Sequence, residues 1–157
     1  MPGLFLPRST ERIHEEWGRT VLRNYPDITP EQVRHIQARM QQAFPEALVV
    51  GYEALEGLFP GVHPKDRHVA AAALAAGAQR LITRNLRHFP RQALTPHGIL
   101  ALDPDAYLSE LVRQDEETVR RVLEAHRVGL LRPPQTRESY RAAFRAAGME
   151  RTAALLW

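Results

Sequence analysis

Apolar positions recur in two rhythms along the 157-residue chain, and the changes of rhythm mark its elements. Ile13, Trp17 and Val21 return every fourth residue, and Val33, Ile36, Met40 and Phe44 every third or fourth, which lines one face of a helix. Four short, mostly apolar runs lie at 4–6, 47–50, 80–83 and 99–102, bounded by Gly, Pro or polar residues, and they predict buried strands. Helical spacing resumes with Tyr107, Leu108 and Leu111, then Val119, Val122 and Leu123, then Tyr140 and Phe144. Strands interleaved with helices predict an α/β fold, a short parallel sheet with helices on both sides. Residues 1–114 would form that domain, and 115–157 a helical C-terminal extension packed on it.

Punctuation supports these boundaries. Thr29-Pro30-Glu31-Gln32 reads as a capping box with Pro at the first helical position, and Ile28 with Val33 as its hydrophobic staple. Ser9 or Thr10, Asp103, Asp115 and Thr136 are placed to cap other helices. Residues 53–64, with Gly57, Pro60, Gly61 and Pro64, read as a loop, and Arg132-Pro133-Pro134 as a break between the last helices.

Charge and composition narrow the function. A net charge of +3 and a pI near 9.8 suit a polyanionic partner without requiring one. The absence of cysteine excludes a disulfide framework and thiolate chemistry. No apolar run approaches the ~20 residues of a membrane span, and the start lacks the charged segment of a signal peptide, so a soluble, cytoplasmic chain is expected. There is no Gly-rich phosphate loop, GxSxG or HExxH. The seven histidines are scattered, and each reads as a surface or packing residue before a ligand. Carboxylate-based chemistry remains.

Residues 63–90, HPKDRHVAAAALAAGAQRLITRNLRHFP, hold the candidate site. An Ala-rich helix begins at Asp66 and ends at Gly77, and a strand then leads to Asn85. In a parallel sheet, the start of such a helix and the end of the next strand share the carboxyl rim, where ligands bind. Arg67, His68, Arg84, Arg87 and His88 crowd the same rim. An Asp at a helix start also complements the helix dipole and needs no ligand for that. Glu16 lies ~60° to the side of Ile13 on the first helix, bordering its buried face. There it either reaches a site or is simply solvated.

Asp-Arg-His-Val, the Ala-rich helix, Gly-Ala, a hydrophobic strand and Thr-Arg-Asn-Leu-Arg-His-Phe-Pro resemble the second half of a PIN domain. The Pro-Pro break, helix, Gly and Arg-Thr-Ala-Ala-Leu-Leu ending resemble the tail of one PIN subgroup. The resemblance implies a Mg²⁺- or Mn²⁺-dependent ribonuclease, of which many members are VapC-type toxins partnered by an antitoxin protein. It matches Glu16 and Asp66 to metal-binding carboxylates that polarise the scissile phosphate and activate water. Asn85 stands where many members have Asp, as a group that orients water. Arg67, Arg84, Arg87 and His88 would contact RNA phosphates. The family's first strand, with its aspartate, and first helix have no counterpart ahead of Leu4. The alternative is therefore a truncated, inactive PIN-like module that binds a partner protein or RNA. Its bared sheet edge invites homodimerisation or strand exchange.

Overall fold

The computed structural model describes residues 4–131 and 133–157. Side chains fix most of its longer helix starts. The Thr10 hydroxyl accepts the Ile13 amide at 3.1 Å and opens α1 (Glu11–Asn24). Thr29 and Gln32 exchange the two bonds of the expected capping box at the head of α2 (Pro30–Ala43). The Ala-rich segment forms α3 (Arg67–Ala75), which closes before Gly77 at a φ of +63°, the left-handed geometry glycine adopts without penalty. After strand β1 (Arg80–Ile82), Pro90 leads into a short α4 (Arg91–Leu94) that the apolar spacing did not reveal. Strand β2 (Leu100–Leu102) precedes α5 (Pro104–Gln114) and α6 (Glu116–Gly129), capped by Asp103 and Asp115. Thr136 caps α7 (Arg137–Ala146), and α8 (Glu150–Leu156) follows Gly148.

The fold is α/β, but its sheet is smaller than expected. Among the described residues only β1 and β2 pair as strands, in parallel. The strands expected at 4–6 and 47–50 do not form; a single parallel bridge joins Ser9 to Leu48 instead. Pro7 offers no amide to a ladder, and Leu6 and Val50 are 81% and 77% exposed, so these runs gain little of the burial that would stabilise strands. The expected loop at 53–64 also differs. It contains a 3₁₀ turn over Glu53–Leu58 and anchors Phe59 and Val62 in the interior, beside buried Tyr52 just ahead of it. Arg132, part of the expected break, lies outside the described residues; Pro133 and Pro134 fall between α6 and α7 as anticipated.

The chain divides into two compact units. The larger comprises 5–81 and 87–101. Its core packs Ala70, Ala71, Ala72 and Ala73 of α3 with Phe59, Val62, Leu81, Phe89, Leu94 and Ile99. Alanine permits the backbone of α3 to approach its neighbours closely, which a bulkier helix would prevent. In the same unit α1 meets α2 at Gly18, where an added Cβ would lie 3.1 Å from both Val33 and Gln37. The stripes expected to be buried on these two helices are only partly covered. Trp17 is 37% exposed, and of the α2 stripe only Val33 is buried.

Of the described residues, the smaller unit takes Leu4, 82–86, 102–131 and 133–157. Leu111, Val112, Val119 and Leu156 form its centre, with Tyr107, Leu108, Leu123 and Trp157 packed around them. Buried Asp105 ties α8 to α5, accepting the amides of Arg151 and Thr152 at 2.9 Å and the Thr152 hydroxyl at 2.8 Å. Burial pushes the Asp105 carboxyl up, but these donors and the Arg151 charge outweigh it, leaving the group below its ordinary range.

Candidate functional site

Asp66 ends a one-turn 3₁₀ segment and stands at the N-cap of α3. A capping role would turn its carboxylate onto the first amides of the helix, yet it accepts none of them. Its Oδ2 lies 2.6 Å from Nδ1 of His88 and 3.6 Å from Nδ1 of His63. An ionised carboxylate can only accept, so His88 is the donor in the shorter contact. The helix-dipole reading of Asp66 therefore leaves its strongest side-chain contact unaccounted for.

The backbone builds this cluster. The His63 amide donates to the His88 carbonyl at 3.0 Å, and the Asp66 amide to the His63 carbonyl at 2.9 Å. Pro64 starts the 3₁₀ turn that brings Asp66 back under His63. The two imidazoles stack at 4.1 Å with planes 10° apart. His63, Asp66 and His88 thus each offer a ligand atom within 4.8 Å of the others. Scattered in sequence, these histidines gave no ligand spacing; the one usable signal was His63 three residues ahead of Asp66.

Glu16 has other partners. Its Oε1 takes the Arg12 guanidinium at 3.3 Å, and its Oε2 lies 3.1 Å from Nε2 of His68. His68 is fully buried, and neither of its ring nitrogens has an aligned hydrogen-bond partner among the described residues. The 3.1 Å approach is therefore an electrostatic contact whose angle falls short of a hydrogen bond. The cluster at Asp66 does not include Glu16.

The Arg67 guanidinium donates to the carbonyls of Val62 at 3.2 Å and Pro60 at 3.1 Å, bracing the loop ahead of the cluster. Arg84 and Asn85 belong to the smaller unit. There Arg84 donates to the Ala147 carbonyl at 2.7 Å, at the end of α7. The Asn85 amide donates to the Thr83 hydroxyl at 3.1 Å in the turn after β1. Arg87 follows in the 3₁₀ turn Leu86–His88 that delivers His88. Among the described residues, no helix is long and apolar enough to cross a membrane.

A family model described as the VapC50 C-terminal domain matches residues 104–156, the span from α5 through α8. A curated protein of Mycobacterium tuberculosis named "Putative ribonuclease VapC50" is 42% identical over 77 residues, covering 49% of this chain and 46% of that protein. The chain thus spans about half the length of the curated relative it matches. No solved structure matches.

Proposed function

We propose, taking the chain's similarity to VapC-type PIN proteins as the premise, that it acts in a divalent-metal-dependent ribonuclease of the toxin–antitoxin kind. The observation that carries this reading is the Asp66 carboxylate. It stands at the head of the Ala-rich helix in the segment that resembles a PIN domain, and it is turned away from its own helix amides. A side chain held by a neighbouring histidine in this way is available to a ligand at the surface, being 27% exposed.

A divalent ion held at Asp66 would supply Lewis acidity toward a phosphodiester. The donor set favours this in part. Asp66 and its histidines fit a divalent ion, whereas a second carboxylate from Glu16 would have to leave Arg12 and His68. His88 keeps Asp66 oriented, while Arg87 and Arg67 of the same unit offer positive charge to RNA phosphates, as Arg84 does on the smaller unit. Asn85, on the smaller unit, is the water-orienting candidate that the resemblance marks. RNA is the substrate, and an antitoxin protein the regulatory partner.

The test is RNA cleavage by the purified chain with Mg²⁺ or Mn²⁺, with and without chelator. Chelator-sensitive cleavage lost in Asp66→Ala supports the reading. Cleavage that ignores both chelator and Asp66→Ala, or no cleavage at all, overturns it. The engagement of Glu16 by Arg12 favours a second reading, a non-cleaving module that binds RNA or a partner protein. RNA retention without cleavage would be its signature.

A further inference from the structure

We propose that His63, Asp66 and His88 form a site for one transition-metal ion of the zinc class, rather than for Mg²⁺. The inference shares Asp66 with the proposed nuclease site and rests on that reading only for what the ion would do there, not for its binding.

The donor chemistry decides the class of ion. Mg²⁺ demands an octahedron of oxygens and is held by carboxylates, phosphates and water. Here two of the three convergent donors are imidazole nitrogens and one is a carboxylate oxygen. Imidazole suits zinc, copper, iron and nickel, and two histidines with one carboxylate, leaving an open position, is a recurrent zinc donor set. A single carboxylate gives Mg²⁺ too little charge and too few oxygens.

The frame is organised before any ion arrives. The His63 amide bonds the His88 carbonyl, and the Asp66 amide bonds the His63 carbonyl, so all three ligand-bearing residues are joined through the main chain. The Arg67 guanidinium, the nearest cation in sequence on the helix side, is spent on the carbonyls of Val62 and Pro60.

One rearrangement is required. An imidazole nitrogen presents its lone pair in the plane of its ring, and two rings stacked within 10° of parallel cannot both aim at one point. One ring must swing out. His63, with a side chain 40% exposed against 22% for His88, has the room. It gives up a long 3.3 Å bond from the Lys65 amide and its stacking on His88. At His88 the proton now donated to Asp66 leaves to solvent if Nδ1 takes the ion.

The test is calorimetric titration of the metal-stripped full chain with ZnCl₂ and separately with MgCl₂, with Co²⁺ absorption as a second reporter. One Zn²⁺ per chain is expected, bound far more tightly than Mg²⁺. His63→Ala and His88→Gln should each weaken it on the order of ten-fold or more, and His35→Ala, an exposed histidine on α2, should not. In the unmutated chain, the ring resonances of His63 and His88 should shift together on adding Zn²⁺, which guards against a variant that misfolds. No Zn²⁺ binding, or binding that survives the His63→Ala/His88→Gln pair, overturns the site. Tight Zn²⁺ without RNA cleavage keeps the site and removes the nuclease. Cleavage with Mg²⁺ alone, in a chain that binds no Zn²⁺, does the reverse.

Discussion

Nδ1 of His88 lies 2.6 Å from Oδ2 of Asp66, across 22 residues of sequence, and this contact is the short side of the His63–Asp66–His88 cluster. Asp66→Asn keeps the size of the side chain and removes its charge. Since the residue is partly exposed and bonds no amide of its helix, folding stability should change by only about 1 kcal/mol. RNA cleavage should fall to background, and ion binding should weaken on the order of ten-fold or more. Melting temperature measured beside cleavage separates the two effects, and a large loss of stability would give Asp66 a structural role instead.

Asp105 is the opposite case, a buried carboxylate whose partners are all structural. Asp105→Ala leaves the amides of Thr152 and Arg151 without their acceptor, while the Thr152 hydroxyl keeps the Asp105 carbonyl and the Ser109 hydroxyl within reach. A loss of about 2–4 kcal/mol is expected in urea unfolding. Asp105→Asn retains one carbonyl acceptor and should cost less. Equal losses for the two would point to packing rather than hydrogen bonding.

Acid should weaken the smaller unit in a defined window. Glu124 is lowered from its ordinary 4.5 to about 2 by hydrogen bonds from Arg127 and then Arg137. Asp105 also lies below its ordinary 3.8. For depressed carboxyls the unfolded chain binds protons first, so their contribution is complete above the ordinary values and declines as pH falls through the folded ones. Stability should therefore drop between about pH 4.5 and about 2. Glu124→Gln should flatten the lower part of that profile; an unchanged profile would show that the Arg127 and Arg137 bonds do not persist in solution.

Gly18 sets how closely α1 and α2 approach. Gly18→Ala gains helix propensity of about 1 kcal/mol but places a Cβ 3.1 Å from Val33 and Gln37. Gln37 also donates its amide to the His14 carbonyl at 2.8 Å, so it is not free to yield. A net change near zero is expected for Ala, and a loss of about 1–3 kcal/mol for Gly18→Leu, from overpacking. Thermal unfolding of both variants checks this; a stabilised Leu variant would mean the two helices can separate without cost.

What the sequence made legible was local. The capping box at Thr29, the caps at Thr10, Asp103, Asp115 and Thr136, and the helix end before Gly77 each depend on residues within one turn, and each formed. The sheet was less legible, because an apolar run such as 47–50 looks the same whether or not a ladder forms beside it. The face of α2 misled for a related reason. Its spacing is that of a buried stripe, yet Ile36, Met40 and Phe44 stay 40–48% exposed. In the candidate site, Asp66 and His88 were marked separately, but their contact depends on a backbone bond between His63 and His88 that no local pattern encodes.

The Asp105 bonds also set an order of assembly. At seven residues α8 is well below the ~12–15 at which an isolated helix becomes even marginal in water. It holds its shape because Asp105, 46 and 47 residues earlier, receives its first amides. During synthesis, α5 leaves the ribosome with that carboxylate still hydrated, and translation at about 5–20 residues per second delays its partners by seconds. The centre around Leu111, Val112 and Val119 must wait through that interval without Leu156. Closure of the smaller unit thus waits until α8 has been made, and until then its apolar centre is open to whatever else could bind the same surface.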